Sequence, residues 1–187
     1  IFVVVAAIGA AAGILSHDKS GAPALAAVVS DWSVTDGTIG ITVKQLGNDV
    51  SGRFDDWVSV ISFDETAVTI AGSVETTINI ASLSLGSVTS QAMGTDFFDQ
   101  GQFSTAVFAA ELIRDGDAYL ADGALSIKGI TVPVSMPFTV SVDGNSATMT
   151  GAIQLDRRDF TIGASITDEG NLGFAVDVLI DLAATRE

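Results

Sequence analysis

The sequence contains no cysteine and a single histidine, His17. Disulfides, thiolate nucleophiles and thiolate metal sites are therefore excluded, and the usual pairs of nucleophile and base lack their partners. Carboxylates that are adjacent in the sequence, such as Asp55 and Asp56, diverge to opposite faces of a strand and do not act together. We therefore predict that the protein is not an enzyme and has no catalytic residue, no metal site and no resident cofactor.

Basic residues are also scarce. Lys and Arg together number 8, Asp and Glu number 23, and the formal net charge is -15. A surface of this charge repels the phosphates of nucleic acids and the headgroups of acidic membranes. Nucleic acid is thus excluded as a partner.

Long hydrophobic runs are lacking, apart from one at the start of the sequence. Residues 1–15 are apolar and uncharged, whereas a membrane-spanning helix needs about 20 residues. We interpret this run as the end of a transmembrane helix, as the hydrophobic region of a signal peptide, or as a buried core helix. Residues 16–30 form a polar linker that contains His17 and a small-x-small cleavage pattern at Ala24–Ala26. The first two interpretations place the domain formed by residues 31–187 outside the cytoplasm.

From residue 31 onward, apolar residues alternate with polar ones, as is typical of β-strands that bury one face. Pro133 and Pro137 lie on the polar phase of the longest run, where they indicate a sheet edge or a bulge. The alternation breaks at residues 87–102, and we expect a short helical crossing near residues 90–102. The apolar phase of the longest run comprises Ile130, Val132, Val134, Met136, Phe138, Val140 and Val142.

About eight antiparallel strands, each with one apolar face, must hide both that face and the edges of the sheet. Closing the sheet into an up-and-down barrel hides both, and a sandwich of two sheets does so as well. The long meandering strands favour the first solution. We therefore predict an all-β, antiparallel up-and-down barrel.

Three groups of residues follow one another at a characteristic spacing, namely Thr95-Asp96-Phe97-Phe98-Asp99 with Phe103 and Phe108, the segment GALSIKGITVPV at residues 123–134, and Arg157-Arg158-Asp159-Phe160 with Gly163. In this order and spacing they resemble the YceI-like family. The resemblance reaches back to Trp32 and covers residues 31–183. This sequence departs from the family at Gln45, where many relatives carry His, and at Thr161, where many carry Gly. We interpret the difference at Thr161 as conformational.

The resemblance implies a lipocalin-like barrel, secreted to the periplasm, that holds a long isoprenoid or related lipid such as a quinone or a polyprenyl chain. Some family members are fused behind a membrane-embedded b-type cytochrome, and the apolar run of residues 1–15 suits such a fusion. A membrane tether or a b-type cytochrome is then the expected partner. The expected function is non-catalytic lipid binding, and the alternative is an accessory domain of a membrane respiratory complex whose barrel is filled by its own side chains.

The candidate lipid-binding residues are the bulky apolar side chains on the inward phase of the strands. Burial of a lipid chain against them contributes about 0.8 kcal/mol per methylene group, although side chains of this size also fill a small barrel by themselves. In the crossing, Phe97 and Phe98 are a candidate lid, while Phe103 begins the next wall. The inward residues are Phe54, Phe63, Phe108, Leu125, Ile127, Met136, Phe138, Ile153 and Phe174.

Arg157 continues the inward phase of Ile153, so a charge is predicted on the inner face. A buried charge must be paired or must meet a polar group. Either Arg157 hydrogen-bonds a lipid headgroup, such as a quinone carbonyl or a phosphate, or it forms an ion pair with one of three aspartates, Asp96, Asp99 or Asp159. Arg158 is expected to face solvent.

Overall fold

The computed structural model describes residues 31–186. The predicted membrane or signal segment and the predicted linker, residues 1–15 and 16–30, lie outside the described residues. Within residues 31–186 the chain forms ten strands and one short helix, α1 (Thr89–Ala92). The strands are β1 (Ser33–Gln45), β2 (Asn48–Phe54), β3 (Trp57–Phe63), β4 (Ile70–Asn79), β5 (Leu83–Ser84), β6 (Thr105–Asp115), β7 (Ala118–Ile127), β8 (Ile130–Asp143), β9 (Ser146–Asp156) and β10 (Leu172–Thr185).

All of these strands belong to one sheet, in the order β3-β4-β6-β7-β8-β9-β10-β1-β2-β5. Neighbouring strands pair in antiparallel fashion, and four of the pairs, β1–β2, β6–β7, β7–β8 and β8–β9, are joined by two-residue turns. Gly129 and Gly144 adopt positive φ angles of 74° and 59° in two of these turns, where glycine carries no steric penalty. The tight turns hold the register, so the apolar phase stays on one face.

The sheet curls until its edge strand β3 meets the start of β1, which confirms the predicted antiparallel barrel. Trp32, just before β1, forms a bridge with Ile61 of β3, and its backbone N–H donates to the Ile61 carbonyl at 3.3 Å. Farther along this seam the indole of Trp57 lies on Gly37 of β1, because a Cβ at residue 37 would come within 2.8 Å of the ring. The strands number ten rather than about eight, partly because the turn Ile80–Ser82 separates β5 from β4.

One end of the barrel, the closed end, is filled by aromatic side chains. The ring of Phe63 meets that of Tyr119 edge to face at 5.2 Å, and Tyr119 stacks on Phe138 at 5.4 Å. The indole Nε1–H of Trp32 donates to the Phe63 carbonyl at 3.0 Å. All four side chains are buried, and the guanidinium of Arg186 lies 4.7 Å from the centroid of the Trp32 ring. These contacts seal the closed end.

The opposite end, which we call the mouth end, contains the crossing and the segment 157–171. The crossing, residues 86–104, contains the 3-10 turn Gly86–Val88 and α1, which confirms the predicted helical interruption. Just before it, β5 approaches β2 closely at Gly52, where a Cβ would overlap the backbone of Ser84. No helix within the described part of the chain is long and apolar enough to cross a membrane.

β8 parts from β9 near the mouth end. The two strands pair only from Phe138 to Asp143, whereas the first half of β8 pairs with β7 alone. Pro133 and Pro137 lie in this one-sided half, so the predicted local sheet edge is confirmed. The gap is filled by the 3-10 turn Arg157–Phe160, whose Phe160 side chain is 2% exposed and packs in one cluster with buried residues of β7 and β8.

Candidate functional site

A cavity of about 270 Å³ lies inside the curled sheet. Its wall extends from Trp32 at the closed end to Gln91 in the crossing. Because Gln91 is exposed, the cavity reaches the surface at the mouth end. Native cores contain few voids larger than one water molecule, and this void holds the liquid volume of roughly nine waters at about 30 Å³ each. It is therefore a built cavity rather than a packing defect.

The inward phase of the strands forms the wall of this cavity, as the alternation predicts. All of the predicted lipid-binding residues except Phe103 and Phe174 lie in the wall, and their binding of lipid stays a prediction. Those in the wall are Phe54, Phe63, Phe97, Phe98, Phe108, Leu125, Ile127, Met136, Phe138, Ile153 and Arg157.

Phe174 does not line the cavity, because β10 is irregular where it passes the end of β1. The register shifts between the pairs Val43–Val176 and Gln45–Leu172, and this shift takes Phe174 out of the inward phase. Its ring centroid instead lies 3.9 Å from Cζ of Arg158. The prediction that Phe174 faces the interior is therefore wrong, and its ring supports an exposed arginine.

Phe103 also lies outside the wall. Its ring packs on the β7–β8 turn, where a Cβ at Gly129 would be 3.0 Å from Cε1 of Phe103. Its backbone N–H donates to the Asp99 carbonyl at 2.9 Å, which holds Phe103 within the crossing rather than in β6. The prediction that Phe103 begins the next wall is wrong, since β6 begins only at Thr105.

Phe97 and Phe98 lie at the mouth end, as expected for a lid. Phe98 meets Phe54 edge to face, with centroids 6.2 Å apart. Phe97 contacts the segment after β9, where a Cβ at Gly163 would be 3.1 Å from its ring. The Gly163 N–H donates to the Asp96 carbonyl at 2.6 Å, so the crossing and the segment after β9 are joined beside the lid.

Arg157 is buried, with 3% of its surface exposed, and its guanidinium donates only to backbone carbonyls. Its Nε–H donates to Gly173 at 2.9 Å. Its Nη1 donates to Ile162 and Gly163 at 2.8 and 2.7 Å. Its Nη2 donates to Ile166 and Leu172 at 2.7 and 3.1 Å. All five N–H groups of the side chain are thus used to hold the segment 162–173.

Neither predicted role of Arg157 matches this arrangement. No N–H remains for a lipid headgroup, and among residues 31–186 the acceptors are carbonyls rather than the carboxylates of Asp96, Asp99 or Asp159. Burial lowers the pKa of Arg157 from its ordinary value, an effect that the nearby Asp156 carboxylate opposes. Arg157 therefore positions the mouth segment. Arg158 is exposed, as predicted, and pairs with Asp156.

Four uncharged polar side chains in the cavity wall were not among the predicted site residues. Ser59 and Thr76 are opposite each other on β3 and β4, and their hydroxyl oxygens are 2.6 Å apart. Gln45 and Gln91 lie in the wall near the mouth. Ser59 shares the inward phase of Phe63, so the alternation already placed it inside, but a search for bulky apolar residues passes over it. In the described chain, no three His, Cys, Asp or Glu residues converge as a metal site requires.

Comparison with known proteins agrees with this architecture. The family model of the YceI-like domain matches residues 32–184. A UPF0312 protein of Shewanella oneidensis is 30% identical over 146 residues, which cover 72% of this chain and 75% of the relative.

Solved structures also share the fold. BcnA of Burkholderia cenocepacia superposes with a TM-score of 0.75 at 28% identity, over 80% of this chain and 96% of BcnA. A polyisoprenoid-binding domain of Saccharophagus degradans superposes with a TM-score of 0.61 at 15% identity, over 84% of this chain and 99% of that domain. With a family match that spans nearly all of the described residues, the chain belongs to the YceI-like family.

Proposed function

We propose that the domain binds a long isoprenoid or related lipid, such as a quinone or a polyprenyl chain, inside the barrel and leaves it chemically unchanged. The observation that carries this proposal is the apolar cavity of about 270 Å³ that reaches the surface at Gln91. Its volume is close to the lower end of the range of about 300 to 1,000 Å³ that is usual for ligand pockets. A polyisoprenoid-binding domain of the same fold in another organism supports the choice of lipid.

The physical chemistry of the wall favours a long chain over a small ligand. Burial of one methylene group contributes about 0.8 kcal/mol, so a five-carbon isoprene unit contributes roughly 4 kcal/mol before the costs of association. Those costs amount to roughly 4 to 15 kcal/mol, which means that several buried units are needed for tight binding. Aromatic and branched side chains, such as Phe108, Leu125 and Ile153, supply the necessary contacts.

The first experiment identifies the lipid. The full chain is purified from membranes of the producing organism without a lipid-exchange step, extracted with organic solvent, and analysed by mass spectrometry. We expect a prenyl lipid at close to one molecule per chain. Repeated extracts without any prenyl lipid would contradict the proposal.

A pair of adjacent substitutions separates binding in the cavity from adsorption to the surface. Val178 lines the cavity, whereas Leu179 points outward from the same strand and is 50% exposed. Val178→Trp should fill part of the cavity and reduce the bound prenyl lipid, while Leu179→Trp should leave the amount unchanged. Circular dichroism and thermal melting establish that both variants are folded. Equal lipid content in both folded variants would favour the alternative, an accessory domain whose barrel interior plays no part in binding.

We also propose that the domain works in the periplasm, either tethered to the inner membrane or exported by a signal peptide. The apolar run of residues 1–15 supports this proposal, and a b-type cytochrome partner remains a prediction from the same run. Fractionation of the producing cells, with an antibody against the domain, should detect it in the periplasmic or the inner-membrane fraction. Recovery in the cytoplasmic fraction alone would contradict the proposed location.

A further inference from the structure

The interior of the barrel offers a ligand no free cationic N–H group. Among the charged residues in the described part of the chain, Arg157 alone lines the cavity. Its five N–H groups are all donated to backbone carbonyls. The remaining polar side chains of the wall are uncharged, namely the hydroxyls of Ser59 and Thr76 and the amides of Gln45 and Gln91. A polar group inside the cavity therefore meets neutral hydrogen-bonding partners only.

Three basic residues lie near the mouth, and two of them, Lys44 and Arg158, are paired with carboxylates. The Nζ of Lys44 lies 2.7 Å from a carboxylate oxygen of Asp49, and the Nζ of Lys128 donates to the Thr95 carbonyl at 2.9 Å. Arg158 makes hydrogen bonds to both carboxylate oxygens of its neighbour Asp156. None of these three basic residues belongs to the wall of the cavity.

Acidic residues dominate the segments that surround the mouth. The crossing carries Asp96 and Asp99, and the segment after β9 carries Asp159, Asp168 and Glu169. An anion that approaches the mouth is repelled by these carboxylates, and the repulsion is strongest at low ionic strength. A headgroup with one or two phosphates would also lose its hydration without gaining a cationic partner, which is costly.

We infer that the cavity selects isoprenoid lipids whose polar group is uncharged, such as a quinone or a prenyl alcohol, and rejects prenyl phosphates and diphosphates. This inference rests on the proposed function, since it specifies the headgroup of the same ligand. It holds for a lipid bound with its headgroup at the mouth, where carboxylates outnumber basic side chains, and for one bound with its headgroup deep in the barrel, where the available hydrogen-bonding groups are neutral. A deep headgroup would meet the hydroxyl pair of Ser59 and Thr76, and a headgroup at the mouth would meet Gln45 and Gln91.

The test compares two probes with the same chain, geranylgeraniol and geranylgeranyl diphosphate, on the delipidated full chain. Competition against a bound fluorescent prenyl analogue gives both affinities. We expect the alcohol to bind at least about tenfold more tightly than the diphosphate, and the ratio to shrink as salt is added and the repulsion is screened. Equal or tighter binding of the diphosphate would overturn the inference and leave the proposed function intact. Binding of neither probe would overturn the proposed function, and the headgroup selection with it.

A substitution at the mouth separates the effect of the protein's charge from the different solubilities of the two probes. Gln91→Lys places a cation in the wall, whereas Ser90→Lys adds the same charge at the adjacent exposed residue outside the wall. Gln91→Lys should raise the affinity for the diphosphate relative to the alcohol by about tenfold, and Ser90→Lys should change this ratio much less. An unchanged ratio in a folded Gln91→Lys protein would overturn the inference.

Discussion

Replacement of Arg157 by Leu tests whether this residue supports the mouth or binds a ligand. The guanidinium satisfies five carbonyls of the segment 162–173. Each hydrogen bond to a charged group contributes about 1.5 to 3 kcal/mol. Because relaxation and water restore part of this energy, removal of the buried arginine should lower the free energy of unfolding by about 3 to 5 kcal/mol. Stability is thus expected to fall by a large fraction of the total of a typical domain, which is about 5 to 15 kcal/mol.

Thermal and urea denaturation measure this loss. In a domain of this size, each kcal/mol shifts Tm by about 2 to 4 °C, so Arg157→Leu should lower Tm by about 6 to 20 °C. Arg158→Leu is the matched control. Arg158 is adjacent in the sequence, but its side chain is exposed and makes an ion pair at the surface, where such pairs contribute little to stability. If Arg157→Leu melted close to wild type and lost its bound prenyl lipid, the structural role would be refuted and a headgroup role supported.

Three further substitutions test the backbone and the closed end. Thr161 has a φ of 55°, which strains a β-branched residue, so Thr161→Gly should raise the free energy of unfolding by about 0.5 to 1 kcal/mol in urea denaturation; a decrease would contradict the conformational interpretation. Gly52→Ala should lower Tm, because its Cβ would overlap the backbone of β5. Gly40→Ala is the control and should leave Tm unchanged, since the nearest atoms to its Cβ would be 3.7 and 3.8 Å away. Equal effects of the two substitutions would contradict the close approach of β5 to β2. Hydrogen bonding from Arg186 is the main cause that lowers the pKa of Glu65 below 4.5, so this pair stabilises the fold above that pH and the stability is lost as the pH falls. The free energy of unfolding, measured by urea denaturation, should therefore change less between pH 5 and pH 3 in Glu65→Gln than in wild type. The same pH dependence in both proteins would show that the pair does not contribute to stability.

The alternation of apolar residues predicted the antiparallel strands and most of the cavity wall, and the resemblance to the YceI-like family added the lipocalin-like barrel. This success has a physical cause, since side chains on a strand alternate between two faces and only one of those faces is buried here. Phe174 shows where the rule ends. The register shift between β1 and β10 takes Phe174 out of the inward phase. A local sequence pattern does not predict such a shift, because the shift depends on pairing with a distant strand.

The role of Arg157 could not be predicted for a similar reason. Its inward phase was correct, but its acceptors are carbonyls of the segment before β10, which begins five residues later, and of the first two residues of β10. Side-chain patterns carry no information about where such carbonyls point. The hydroxyls of Ser59 and Thr76 were visible in the sequence, yet only the pairing of β3 with β4 shows that they meet.

The contact between Trp57 and Gly37 affects how wide the barrel is at the seam. Between paired strands, ladder hydrogen bonds fix the spacing at about 4.7 to 4.9 Å. At the seam, such a hydrogen bond joins Trp32 to Ile61 at one end only, and farther along an indole ring rests on a residue without a side chain and forms part of the cavity wall. The width of a ligand that fits beside Trp57 therefore depends on residue 37 having a hydrogen atom where any other residue has a Cβ atom. A larger side chain at residue 37 would push the Trp57 ring into the cavity or push β1 and β3 apart. Gly37 therefore helps to set the width of the cavity.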